Sequence, residues 1–162
     1  MLIGVMSDTH DHLDNIRKAL ALFEARGVQH ILHAGDFTSP FTYRALKNFQ
    51  GGFTAIFGNN DGDRVLIKQM FGESVHPQPY VFSLADRRIV MMHEHHVADS
   101  LAASGHYDIV IYGHTHEPVI RQVGGTLVVN PGEVCGWLYG RPTVAVADLA
   151  ELKAEILQIA EA

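Results

Sequence analysis

The chain has 162 residues, 47% of them hydrophobic and 19% charged, which fits one compact domain over residues 1–162 with a core that needs no staple. A net charge of −6 argues against a broad nucleic-acid footprint, which needs clustered Lys and Arg. A small phosphorylated substrate stays open, because bound metal can supply positive charge.

Residues 2–6 are apolar and predict a buried strand. Asp11 is placed to cap the next helix, with Asp14 as its capping partner. Leu13, Ile16, Leu20 and Phe23 share one helical face, and Gly27 ends the run. Residues 28–33 predict a second strand, and residues 40–49 a helix with proline in its first turn. Residues 53–57 predict a third strand, and Leu66/Met70 with Ile67/Phe71 a helix over residues 63–71. Residues 80–84 and 88–92 flank Ala85-Asp86 as a hairpin, and residues 97–104 form a short helix. Residues 108–112 are a buried strand. Residues 119–123 and 126–130 make a hairpin around Gly124-Gly125. Residues 143–148 are a strand, and residues 152–159 suit strand or helix equally. Early βαβ units followed by hairpins indicate an α/β domain with a mixed sheet or two packed sheets.

The lone Cys135 excludes an internal disulfide and suits a reducing compartment. Met1 to Met6 lack a basic leader or cleavage signal. No apolar run reaches the ~20 residues of a membrane span, so the expectation is a cytoplasmic protein with no membrane partner.

Metal-ligand residue types recur directly after strands: Asp8-Thr9-His10, Gly35-Asp36, Gly58-Asn59-Asn60-Asp61, His93-Glu94-His95-His96 and Gly113-His114-Thr115-His116. Each alone is ordinary turn or capping chemistry. Five at strand ends in one small domain are not, because the carboxyl ends of parallel strands gather at one edge, where ligands bind. Carboxylates, an amide and imidazoles suit Mn2+, Fe2+, Ni2+, Co2+ or Zn2+. The absence of thiolate clusters argues against a structural Cys-zinc site.

In these motifs and their order, the chain resembles the calcineurin-like metallophosphoesterase superfamily, and within it the small YfcE-type phosphodiesterases. The resemblance covers essentially the whole chain. It implies a four-layer α-β-β-α sandwich with two mixed sheets, and a phosphodiesterase that uses two divalent metal ions, Mn2+ foremost. By motif, Asp8, His10, Asp36 and His116 resemble ligands of a first ion. Asp36, Asn59, His93 and His114 resemble those of a second, which makes Asp36 the bridge. A bridging hydroxide would attack phosphorus.

Two positions depart from the family pattern. Asn60 stands where many members carry a His that helps the leaving group, and an amide is no general acid. Glu94 replaces the glycine of His-Gly-His, so it either strains the backbone or points to solvent. Asn59, Asn60 and His95 are the candidate catalytic side chains, His95 being balanced against a plain rim residue. His33 reads as a buried structural histidine. His12 reads as part of an exposed first helical turn, and His30, His76, His96 and His106 as surface or core fillers. Asn130-Pro131-Gly132 is expected to shape the rim, and Cys135, Trp137 and Tyr139 to pack in a glycine-rich loop. The expected partner is a small phosphoester, and a homo-oligomer stays open. The competing reading is a non-catalytic interaction scaffold, as in the retromer sorting subunit of this fold, which also lacks the His that Asn60 replaces.

Overall fold

The computed structural model describes residues 1–159. In chain order they form β1 (Leu2–Met6), α1 (Leu13–Ala25), β2 (His30–His33), α2 (Tyr43–Leu46), β3 (Gly52–Ile56), α3 (Arg64–Phe71), β4 (Val75–His76), β5 (Tyr80–Leu84) and β6 (Arg87–Met91). Then follow α4 (Ala98–Ala103), β7 (Ile109–Ile111), β8 (Pro118–Val123), β9 (Thr126–Pro131), β10 (Thr143–Asp148) and β11 (Lys153–Gln158). Two mixed sheets result, one in the order β11-β10-β1-β2-β3-β4, the other β5-β6-β7-β9-β8.

Three apolar layers separate these elements, and strand alternation assigns each side chain to a layer. Ile3 and Val5 of β1 join Ile89, Met91, Ile109, Ile111, Leu127 and Val129 between the sheets. Met6 faces the other way, toward Ile16, Ala19, Leu20 and Phe23 of α1. Gly4 is small for a reason: a Cβ there would lie 2.8 Å from the Phe23 ring. On the far side, Val90, Val110, Tyr112 and Val128 pack against Ala98 and Ala102 of α4. The expected helix–sheet–sheet–helix layering is therefore what forms.

Local differences from the sequence reading have physical causes. The N-cap of α1 is His12, whose Nδ1 accepts from Asn15 N at 3.3 Å, so His12 is a half-buried cap and not part of the exposed first turn. Asp11 instead accepts from the Thr42 hydroxyl and amide at 2.9 and 3.2 Å, and Asp14 pairs with Arg17. The helix expected over residues 40–49 is a 3-10 turn, Pro40–Thr42, followed by the single turn of α2. Asp63 lies outside α3 as its cap, accepting from Leu66 N. The tail is a strand: β11 pairs antiparallel with β10 from Thr143↔Gln158 to Asp148↔Lys153, and this ladder outweighs the helix propensity of its Ala, Glu and Leu. The short β4 gave no signal in the sequence. No helix among the described residues is long and apolar enough to cross a membrane.

Candidate metal centre

β1, β2 and β3 are mutually parallel in one sheet, and β6, β7 and β9 in the other. Their carboxyl ends meet at one edge, and the five ligand-bearing loops leave from there. Backbone bonds sew the loops together: Asp8 N donates to Gly35 O, Thr9 N and His10 N to Asp36 O, and Gly113 N to His93 O, all at 3.0–3.1 Å. The approach is so close that glycine is required. A Cβ on Gly35, which holds φ +99°, would lie 2.7 Å from His93 Nδ1, and one on Gly58 would lie 2.2 Å from Asp36 Oδ1.

Asp8, His10, Asp36, His114 and His116 all hold positive φ, between 41° and 66°. For residues other than glycine this costs on the order of 1–3 kcal/mol each. The backbone bonds between the loops hold these five candidate ligands in that conformation. Glu94 is not among the positive-φ residues and is exposed, so the alternative of a side chain turned to solvent is the one that holds.

Two clusters of ligand atoms form around Asp8, and His116 also groups with Glu133 and Cys135 behind it. Asp8, His10 and His116 make one, and Asp8, Asp36 and His93 the other, each with its ligand atoms within 4.8 Å of one another. Asp8 Oδ1 lies 3.2 Å from His116 Nε2, 3.9 Å from His10 Nε2 and 4.0 Å from His93 Nε2. Asp36 Oδ2 lies 3.6 Å from His10 Nε2 and 3.3 Å from His93 Nε2. Yet Asp8 Oδ1 and His93 Nε2 are buried and have no hydrogen-bond partner. Orphaned buried polar atoms are costly, and side chains that crowd without bonding are arranged as ligands of a common cation. The donor set, carboxylate oxygen and imidazole nitrogen, fits divalent first-row metals.

The opposite nitrogen of each imidazole is engaged. His93 Nδ1 donates to Ala34 O at 2.8 Å, and His116 Nδ1 to Glu133 Oε2 at 2.7 Å; His10 Nδ1 pairs with Thr38 Oγ1 at 3.0 Å. Such bonds fix the ring and its tautomer and leave Nε2 free as a ligand. Burial opposes charge on His116, but the Asp8 carboxylate beside it, Cys135 and its bond to Glu133 prevail and push its pKa up to about 11. His93 is raised against its own burial by Asp36 and Asp8. Burial also opposes charge on Asp36, yet the His93 imidazole beside it and hydrogen bonds from Asn60 hold its carboxyl well below the usual range.

The remaining expected residues lie around these clusters. Asn59 is exposed, and its Oδ1 accepts from His114 Nδ1 at 2.9 Å, so the two pair beside the centre and stand in neither cluster. Asn60 donates from its backbone N to Asp36 Oδ1 and from Nδ2 to Asp36 Oδ2, both at 2.8 Å. It grips the carboxylate, a role the sequence did not suggest. His95 is exposed on the rim, its ring stacked at 6.2 Å from that of His114.

His33 is buried and hydrogen-bonded, as expected. It accepts from Gly35 N through Nδ1, faces Thr9 Oγ1 at 3.1 Å through Nε2, and burial pushes its pKa down to about 3. Asn130 braces the His114 loop from behind, donating to Gly113 O and Thr115 Oγ1. Trp137 stacks at 5.6 Å on His10 and, with Thr38, Asn60, His116 and Leu138, walls the cleft beside the centre.

Sequence reasoning missed Glu133, Thr38 and Asp61. Asp61 is buried and accepts from Gly58 N at 2.6 Å, Thr38 N at 2.8 Å and Asp36 N at 3.3 Å, pinning two loops. Glu133 carried a usable signal, since it closes Asn130-Pro131-Gly132-Glu133 at the end of β9, parallel to β7.

Comparison with known proteins agrees with this geometry. Residues 1–152 match the model of the calcineurin-like phosphoesterase superfamily domain. A phosphodiesterase of Methanocaldococcus jannaschii is 43% identical over 154 residues, covering 91% of this chain and 93% of that protein. The structure of an archaeal phosphodiesterase superposes with a TM-score of 0.90 at 39% identity, over 98% of this chain and 99% of the other. Vacuolar protein sorting 29 of Cryptosporidium parvum shares the fold, with a TM-score of 0.70 at 20% identity over 97% and 95% of the two chains. Two ligand clusters on this scaffold support metal-dependent hydrolysis of the phosphoesterase kind. The chain belongs to the calcineurin-like phosphoesterase superfamily, and its relatives include archaeal and bacterial YfcE-type phosphodiesterases.

Proposed function

We propose that the chain hydrolyses phosphodiesters with two divalent cations, Mn2+ foremost. Asp8, His10, Asp36 and His116 would hold one, and Asp36, Asn59, His93 and His114 the other. The observation that carries this reading is Asp8 Oδ1, buried, unbonded and ringed by three imidazole nitrogens at 3.2–4.0 Å. Asp36 Oδ2 supports the bridging role, because it lies between His10 and His93. When bound, the cations supply charge to the phosphoryl oxygens and lower the pKa of water enough to give a nucleophile at neutral pH.

The chain's own residues do the rest. Asn60 fixes the orientation of Asp36. Trp137 and Leu138 wall the cleft and keep water from one flank of the substrate. His95 lies on the open rim beside His114. Asn60 cannot give a proton to a departing oxygen, and esters with activated aryl leaving groups are therefore the favoured substrates.

Metal analysis of the purified protein, with hydrolysis of a phosphoester panel under added Mn2+, tests the proposal. Metal-dependent turnover that an Asp8→Asn variant lacks supports it. The second reading, a metal-binding interaction scaffold, draws on the exposed run Trp137, Leu138 and Tyr139 and predicts metal uptake without turnover.

A further inference from the structure

Glu133 is fully buried and joins two parts of the site that are far apart in sequence. Its Oε2 accepts from His116 Nδ1 at 2.7 Å. The same carboxylate accepts from Leu138 N at 3.0 Å and Tyr139 N at 2.7 Å, and Cys135 Sγ lies 3.4 Å from Oε2. All of these polar neighbours donate to it. Leu138 and Tyr139 follow Trp137, whose ring stacks on His10. One carboxylate thus touches the histidine beside Asp8 and also anchors the loop that presents the indole to the cleft.

We infer that Glu133 is a positioning residue that sets the His116 tautomer, with Nε2 free toward the centre, and at the same time fixes the loop that places Trp137 as the cleft wall. A carboxylate behind a metal-ligating histidine raises its basicity and locks its ring, and loss of such a partner costs about 10–100-fold in metal affinity. Glutamine cannot replace it, because it has one acceptor oxygen where glutamate has two. In Glu133→Gln the new amide either keeps the loop N–H groups and offers its NH2 to His116, which moves the proton to Nε2 and closes the ligand atom, or keeps His116 and releases the loop. The inference rests on the proposed reading of His116 as a metal ligand.

The protein's only tryptophan is Trp137, so its fluorescence reports the loop directly. The experiment compares wild type with Glu133→Gln in Mn2+ titration calorimetry and in acrylamide quenching of Trp137. Nitrogen-15 imidazole NMR of the Zn2+-loaded wild type accompanies it. Expected are an affinity loss of about 10–100-fold or, where the amide keeps His116, altered Trp137 emission and quenching, together with a wild-type His116 that carries its proton on Nδ1. A folded variant in which affinity and Trp137 emission are both unchanged overturns the coupling. A wild-type His116 protonated on Nε2 overturns it even if the variant does not fold. Wild type that binds no Mn2+ instead sinks the metal reading, while the Trp137 signal still reports on the loop.

Discussion

Asp36 takes hydrogen bonds from both the backbone and the side chain of Asn60 and lies within 3.6 Å of two imidazole nitrogens, so its charge is shared by everything around it. Asp36→Asn removes that charge and is expected to abolish turnover and lower metal content at both positions; near-normal metal by elemental analysis would refute the bridging assignment. Asn60→His tests the leaving-group account, because proton donation matters most for strongly basic departing oxygens. A modest gain on alkyl diesters and little on aryl diesters is expected, with metal content followed in parallel. Native protein that cleaves both at similar rates would show that another group, such as His95, already donates.

His33 gives a prediction about pH. Its pKa is about 3 in the folded protein, against about 6.5 in an unfolded chain. Above 6.5 neither state is protonated there. Below it the unfolded chain binds the proton and the folded one does not, so His33 removes stability as pH falls from about 6.5 toward 3. His33→Gln should therefore show a smaller drop in urea-unfolding free energy between about pH 7.5 and pH 5 than wild type. An equal or steeper drop would mean that His33 is not held neutral.

The elements were mostly legible because their signals are periodic. The stripe Leu13, Ile16, Leu20 and Phe23 located α1, and apolar runs ending in ligand residues located β1, β2, β3, β6 and β7. What the sequence hid was local geometry without a periodic signature. A positive φ at Asp8, His10, Asp36, His114 and His116 arises from loops tied to each other across the sheets. The cap at His12 could not be told from one at Asp11, because Asp11 is drawn away by Thr42, which is 31 residues distant. The contact between β1 and α1 gives an element-scale test. Gly4→Ala presses a methyl into the Phe23 ring and should cost about 1–3 kcal/mol, with metal content unchanged. A stability change within about ±0.5 kcal/mol, the range of inert surface sites, would show that α1 yields freely. His93→Ala and His116→Ala should in turn reduce activity far more than His30→Ala or His106→Ala, since His30 bonds Thr54 and His106 is exposed. Equal losses in all four would point to folding and not to metal binding.

At the scale of the molecule, two sheets packed face to face bring the carboxyl ends of β1, β2, β3, β6, β7 and β9 to one edge, and there their loops share ligands. The strand ends were visible in the sequence as five motifs. Their convergence became concrete through backbone bonds such as Asp8 N to Gly35 O and Gly113 N to His93 O. The end of β9 was read only as a rim, Asn130-Pro131-Gly132, and the next residue, Glu133, was assigned no role. The central claim is that this edge holds two cations and that hydrolysis depends on them. It is tested most directly by reconstituting the apo-protein with Mn2+, counting bound metal, and assaying phosphodiester hydrolysis on the same sample, beside Asp8→Asn. The account predicts about two ions per chain, turnover that rises with occupancy, and loss of both in the variant. Hydrolysis by metal-free protein, or full activity in Asp8→Asn, would contradict it.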